Sequence, residues 1–347
     1  MPKSITIIGI IVLLVTGLSI LSVSCKRTSW GKDLNRVQQE IPDGFPEPYY
    51  RYTDNPLSEE GIALGRKLFY EGRLSVDGNF PCASCHEQRG AFGLFEHDRS
   101  HGYNNSHTLR NGPPLFNLAW QQYYHWDGEF TTLTDAIAQP INGHLEMADD
   151  FTNIIAKLQA DANYRKEFKA VFNTQFIQPR HILMALSQFM GTFVTANSKY
   201  DRVKKGQAVF TTEEQQGYSL FLAKCNTCHT EPLFTDGSFR NTGLPVDPLL
   251  DDYGRIRITR MREDSLKFKV PSLRNVAVSS NYMHDGRFLT MVQALNHYRS
   301  NVQNSSTLDP LLINGIPMND TELLSIVAFL RTLTDSSFIT NPALSRP

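Results

Sequence analysis

The chain has 347 residues, and at roughly 150 residues per domain that length points to about two domains with real cores and excludes a single small one. With 41% hydrophobic and 20% charged residues, 22 Gly and 18 Pro, the composition excludes a disordered, collagen-like or polytopic membrane chain. Lys plus Arg total 34 against 35 for Asp plus Glu, a net charge of -1, so no basic field exists to collect nucleic acid, and five cysteines are too few for a disulfide scaffold.

At the N-terminus, Lys3 precedes a run of Ile, Leu and Val from Ile5 to Leu21, broken by Thr6, Gly9, Thr16, Gly17 and Ser19, which reads as the core of an export signal. About 20 apolar residues span a bilayer, so Ile5 to Val23 is also long enough for one anchoring helix. The sequence Leu21-Ser22-Val23-Ser24-Cys25 is similar to a bacterial lipoprotein processing site, where residues 1–24 are removed and Cys25 is lipidated; an uncleaved anchor and a cleaved soluble product are the alternatives. All three export the chain. The stretch 25–48 is polar and proline-containing without sustained periodicity, the look of a tether.

Ser58-Glu59-Glu60 followed by Ile62, Leu64, Leu68 and Phe69 predicts a capped helix with an apolar stripe. Phe151 to Phe172 and Pro179 to Val194 are further helix candidates, the latter with proline at an early position and Ile182, Leu183, Leu186, Phe189, Met190 and Phe193 on one side. Thr212-Glu213-Glu214-Gln215 has the look of a capping box before Leu220 and Phe221, and Asn319 with Glu322 caps a last helix running to about Leu333. Gly65-Arg66-Lys67-Leu68-Phe69 and Gly217-Tyr218-Ser219-Leu220-Phe221 correspond, with 13 residues from Phe to the next Cys in the first and 4 in the second. That order predicts a duplicated module with an insertion in copy one. Strand signals are weak, and a charged joint near Lys199 to Lys205 separates the copies.

Cys82-Ala83-Ser84-Cys85-His86 and Cys225-Asn226-Thr227-Cys228-His229 both read C-x-x-C-H, the attachment signal for c-type haem. Two thiols at that spacing add to the two vinyl groups of one porphyrin, and the histidine that follows binds the iron. A four-thiolate zinc site or a pair of disulfides would use the two cysteine pairs, but neither explains a histidine after both. Two haems in two modules leave two function classes: an electron carrier with both irons saturated, or an enzyme with one open iron and a proton-moving group.

Between and beyond these motifs, Asn111-Gly112-Pro113-Pro114-Leu115-Phe116-Asn117, His125-Trp126-Asp127-Gly128, His144-Leu145-Glu146-Met147, Phe193 to Arg202, Lys269-Val270-Pro271-Ser272-Leu273-Arg274-Asn275-Val276 and Tyr282-Met283-His284-Asp285-Gly286 resemble the bacterial diheme cytochrome c peroxidase and MauG family over nearly the whole mature chain. The resemblance implies a mainly α fold of two cytochrome c-like domains, here 49–203 and 204–347, each with one covalent haem. It makes the haem on Cys82, Cys85 and His86 the peroxide-reactive one and that on Cys225, Cys228 and His229 the electron-transfer centre. Trp126 matches the tryptophan between the haems. Glu146 matches the distal glutamate, a carboxylate able to move a proton between the peroxide oxygens.

The family's distal glutamine falls on Ala136, with Gln139 the nearest substitute. Counting back eight from Asn111 to the family's resting-state distal histidine reaches Tyr103. His101 and His107 lie out of register, so either one of them ligates or the iron is open. For the second haem, the family's methionine position holds Tyr298, as in MauG-type proteins, with His297 and Met291 as rivals; a hard phenolic oxygen favours oxidised iron where a soft thioether favours the ferrous form. The resemblance also implies a calcium ion held by Asn111 and the carbonyls of Ser279 and Asn281. The expected function is a periplasmic, membrane-tethered peroxidase that reduces hydrogen peroxide with electrons from a small cytochrome or copper protein. The alternatives are a MauG-like oxidation of a protein or small substrate and a diheme electron carrier, and a homodimer is one assembly the sequence allows.

Overall fold

The computed structural model describes residues 29–347; the export segment and Cys25 lie outside them. Eleven α-helices, several short 3-10 turns and one two-stranded ribbon are present among the described residues. In the first half these are α1 (Glu59–Phe69), α2 (Leu133–Asn142), α3 (Phe151–Ala160), α4 (Ala162–Phe172) and α5 (Pro179–Met190). The second half holds α6 (Lys199–Lys204), α7 (Thr212–Lys224), α8 (Ile256–Thr259), α9 (Met291–Ser300), α10 (Asp320–Arg331) and α11 (Ser336–Ile339), with β1 (Phe239–Arg240) antiparallel to β2 (Phe268–Lys269). None of these helices is long and apolar enough to cross a membrane.

Two helix crossings organise the halves. The Ser58 hydroxyl accepts from Gly61 N–H to start α1, with Glu59 and Glu60 in the first turn and Arg66 and Lys67 in the last, each charge matched to the helix dipole. Where α1 crosses α5, a β-carbon on Gly65 would sit 1.9 Å from the Ala185 carbonyl oxygen; where α7 crosses α10, one on Gly217 would sit 1.8 Å from that of Ser325. The repeated glycine is therefore a packing requirement of both copies. Leu68, Phe69, Phe92, Phe189 and Phe193 centre one apolar core, with Phe92 and Phe193 stacked at 4.0 Å. Tyr200, Phe221, Phe234, Ile326 and Phe329 centre the other.

The duplication is visible in the backbone. Asn117 and Asn275, Tyr124 and Tyr282, Gly128 and Gly286, and Thr132 and Thr290 are each 158 residues apart. Both asparagines and both glycines take left-handed φ, the bridges Tyr124–Phe130 and Tyr282–Phe288 repeat, and each threonine caps the helix that follows it, α2 or α9.

Several expectations change. The single helix expected over Phe151 to Phe172 is two, because the Asp161 side chain accepts from Asn163 N–H and starts a new helix. The α7 cap is Thr211 paired with Glu214, one residue earlier than expected. Residues 29–48 of the expected tether lie against the body: the Trp30 ring meets that of Phe172 at 5.4 Å, and the Trp120 indole donates to the Pro46 carbonyl at 2.7 Å. The joint near Lys199 is the helix α6, and Tyr200 already belongs to the second core. The C-terminal tail crosses back, placing Phe338 and Leu344 in the first core rather than with 204–347.

Candidate functional site

Each C-x-x-C-H motif sits on its own core, Cys82 against the first and Cys225 against the second. All four thiols are unpaired, and among the described residues no cluster of three or more His, Cys, Asp or Glu is positioned for a metal ion, so the two pairs do not converge into a four-thiolate site. Burial pushes the Cys82 and Cys225 thiols up to about 12, which keeps them protonated.

The two histidines are oriented alike. His86 Nδ1 lies 2.9 Å from the Phe92 carbonyl, and His229 Nδ1 lies 3.1 Å from those of Phe234 and Pro271. Phe92 and Phe234 both have left-handed backbones, φ 58° and 56°, which turn those carbonyls back onto the imidazoles. A carbonyl on Nδ1 fixes the tautomer and leaves Nε2 as the free lone pair, the arrangement of a metal-bound histidine. Burial drives His86 down to about 4 and lowers His229, so both imidazoles are neutral at pH 7.

A cavity of about 1170 Å³ opens beside the first motif, above the roughly 300–1,000 Å³ usual for small ligands. Cys82, Cys85, His86, Trp126, Gln139 and Glu146 line it together, although they are spread over positions 82 to 146 of the sequence. Two buried thiols, a free imidazole nitrogen and a cavity of this size fit a haem. Burial raises the Glu146 carboxyl, and a hydrogen bond from Gln139 partly restrains it. Gln139 thus stands beside the glutamate, while Ala136 lines the wall one helical turn earlier.

His101 lines this cavity, with its carbonyl 4.0 Å from Cys85 Sγ, and its ring packs between those of His97 and His107 at 4.8 and 4.2 Å. His107 pairs with His101 across a bridge and is not on the cavity wall. Tyr103 is 40% exposed, and its N–H donates to the Glu146 carbonyl.

Trp126 stands where the halves meet. Its indole N–H donates to the Asn111 carbonyl at 2.8 Å and its own carbonyl accepts from Lys269 N–H at 2.7 Å. The matching bond in the other copy runs from Asn111 N–H to the His284 carbonyl at 2.8 Å. Arg110 adds ion pairs to Asp127 at 2.6 Å and to Asp252 at 2.6 and 2.9 Å. Lys269, Asp127 and Arg110 were not singled out as site residues from the sequence; a lysine between Phe268 and Val270 in an otherwise buried-looking run was the available signal.

At the second motif, Tyr298 on α9 is half-buried near Cys225 and Cys228, and this burial raises its phenol. His297 is turned away, its Nε2 2.9 Å from the Thr242 carbonyl, and Met291 packs against the second core. Of the calcium candidates, Asn111 donates its amide to the Asp98 carbonyl at 2.9 Å, the Ser279 hydroxyl donates to the Asn281 carbonyl at 3.0 Å, and the Asn281 amide donates to the Gly286 carbonyl at 2.8 Å. Gly286 abuts Asp98, where a β-carbon would fall 2.3 Å from its carbonyl oxygen. All three residues thus lie along one carbonyl-rich seam between the halves, donors of the type calcium prefers.

The family described as Di-haem cytochrome c peroxidase matches residues 59–209. The methylamine utilization protein MauG of Methylorubrum extorquens is 32% identical over 87% of this chain and 85% of its own length. The cytochrome c551 peroxidase of Nitrosomonas europaea is 31% identical over 80% and 81%. A solved MauG-like protein associated with microbial copper homeostasis superposes with a TM-score of 0.83 at 32% identity, over 90% of this chain and 99% of that one. The diheme peroxidase BthA from Burkholderia thailandensis shares the fold, with a TM-score of 0.70 at 19% identity.

Proposed function

The chain belongs to the MauG/diheme cytochrome c peroxidase family, whose cofactors are two haems, and from that premise we propose that it reduces hydrogen peroxide to water with electrons from a small redox protein such as a cytochrome or a cupredoxin. The reaction balances as one peroxide, two electrons and two protons to two waters. The observation that carries this reading is Glu146 facing the cavity of the His86 motif, on whose wall Trp126 also stands.

In this reading Cys82, Cys85 and His86 would hold the first haem, by two thioethers and an imidazole nitrogen, and Cys225, Cys228 and His229 would hold the second, with Tyr298 as a further candidate ligand. When bound, the first haem would supply redox-active iron for the reaction with peroxide. Glu146 would take a proton from one peroxide oxygen and return it to the other, so that water can leave. Gln139 holds the carboxyl in place. Trp126, fixed by hydrogen bonds at both ends, offers a polarisable ring for electrons crossing from the second half. Asn111, Ser279 and Asn281 hold calcium at the seam. Residues 1–24 direct export, Cys25 carries the lipid, and the enzyme works in the periplasm tied to a membrane.

Stopped-flow spectroscopy of the purified holoprotein with peroxide, with and without reduced cytochrome c, tests the reading: steady peroxide consumption tied to donor oxidation supports it, and absence of any peroxide reaction sinks it. A second reading, a MauG-like oxidation of a protein or small-molecule substrate, is favoured by Tyr298 beside Cys225 and Cys228. It is recognised by peroxide reactivity without donor turnover.

A further inference from the structure

Lys269 stands where the two halves touch. It is partly buried on the cavity wall, and its ammonium donates to the Gln121 side-chain oxygen and to the Tyr123 carbonyl, both at 2.7 Å. Both acceptors are neutral, so this cation has no direct counter-ion. A buried ammonium without an ion-pair partner is costly, and burial brings it down to about 7. The carboxylate that acts on it is Asp127, which follows Trp126; its Oδ1 is buried without a hydrogen-bond partner, while Oδ2 is taken by Arg110.

The backbone around Lys269 joins the two candidate redox sites. Its N–H holds the Trp126 carbonyl, and two residues on, the Pro271 carbonyl meets His229 Nδ1. One short stretch of chain, from the end of β2 to Pro271, therefore touches the tryptophan of the first half and the His229 imidazole of the second. The Trp126 indole N–H points at a carbonyl, not at a base, so an electron leaving Trp126 leaves positive charge behind on the ring. A cation on the residue whose backbone holds Trp126 opposes that step and favours electrons staying; the same site without its proton permits it.

We propose that Lys269 is a positioning residue for electron passage: it clamps the Gln121–Trp126 loop to the stretch of chain that reaches His229, and it takes up a proton when an electron is stored between the two haem sites and releases it when the electron moves on. The proton comes from solvent and returns there, and the electron comes from the donor protein, so one charge balances the other. Other charged groups face this point. Arg110 is bound to Asp127 and Asp252, Arg255 donates to the Asp127 carbonyl and covers the Tyr123 ring, His125 is lowered mainly by burial, and Glu129 is raised by burial and by Asp127. Of these, Lys269 is the one whose charge is balanced by neutral acceptors alone.

The inference rests on the reading of two haems with Trp126 between them. Spectroelectrochemical titration of the holoprotein from pH 6 to 8 tests it without peroxide, in the wild type and in Lys269→Met, Lys269→Gln and Lys269→Arg, with haem content and circular dichroism as folding controls. The wild-type midpoint potential of at least one haem should rise as pH falls through this range. The slope should vanish in the Met and Gln variants, and Arg should hold the potential at its low-pH value throughout. A flat wild-type profile, or a slope that survives in any haem-loaded variant, overturns the proposal, and loss of both haems from all three variants assigns Lys269 to folding and overturns it too. Failure of the peroxidase reading would appear in the stopped-flow experiment and leave the pH slope untouched.

Discussion

Gln139 and Glu146 face each other across the turn that closes α2, above Gly143, where a β-carbon would lie 2.7 Å from Glu146 Oε2 and 3.4 Å from Gln139 Nε2. The glycine makes room for the pair. A carboxylate so placed should dominate the peroxide step. Glu146→Gln keeps shape and hydrogen bonding but cannot accept a proton, and the bimolecular rate of the Soret change with peroxide should fall about 10²–10⁴-fold at unchanged haem content. An unchanged rate would remove Glu146 from the mechanism.

The same pair sets a pH dependence. Burial raises the Glu146 carboxyl and the Gln139 hydrogen bond partly offsets that rise. A proton acceptor must be ionised, so the peroxide rate should climb with pH through this raised value and be lost below it. Gln139→Ala removes the restraint, and the acid limb of the pH–rate profile should move to higher pH. A limb that stays put or moves down would show that Gln139 does not act on the carboxyl.

Tyr298 gives a spectroscopic prediction. If its oxygen binds the second iron, Tyr298→Phe opens a coordination position, and the haem on His229 should then bind cyanide and change spin state. Tyr298→Met should raise that haem's midpoint potential, since a thioether favours the ferrous form. Identical spectra and potentials in the wild type and both variants would place the tyrosine off the iron.

The parts of this molecule legible in the sequence are those fixed over a few residues: the two C-x-x-C-H motifs, the Ser58 and Asn319 caps, and the Gly65 and Gly217 elements. The break between α3 and α4 was hidden because Ile154, Leu158, Tyr164, Phe168 and Phe172 keep an apolar stripe going across Asp161. The packing of residues 29–48 depends on Phe172 and Trp120, partners about 70–140 positions away that no local pattern announces. Lys269 and Asp127 escaped for the opposite reason. Each is a charged residue next to an aromatic one, a pattern that is usually a surface feature, and the meeting of the two halves buries Asp127 and partly encloses Lys269.

The repeated glycines make a prediction about stability. At Gly217 an added methyl meets the backbone oxygen of Ser325 at 1.8 Å, so α7 and α10 must move apart. Gly217→Ala should cost about 1–3 kcal/mol, read as a lowered melting temperature of the second half. Gly65→Ala should do the same to α1 and α5. Full stability in either variant would mean that the crossing is looser than the backbone shows.

Arg274 carries the last prediction. Its side chain is 1% exposed as a residue and is bonded to Asp201 at 2.9 and 2.8 Å and to the Pro232 carbonyl at 2.9 Å. Burial alone would raise the Asp201 carboxyl, but the guanidinium, together with hydrogen bonds from Ser198, more than offsets it and holds the group below its ordinary value. A carboxylate depressed in the folded state contributes stability above its unfolded value of about 3.9, and that contribution is lost as pH falls through the folded value. Arg274→Met leaves the Asp201 charge buried without its partner, which costs about 3–5 kcal/mol. Because protonation of Asp201 relieves the variant and not the wild type, the gap in melting temperature between them should be wide at pH 7 and narrow at pH 4. A gap independent of pH would assign the loss to packing of the long side chain against Phe45 and Phe234 rather than to the ion pair.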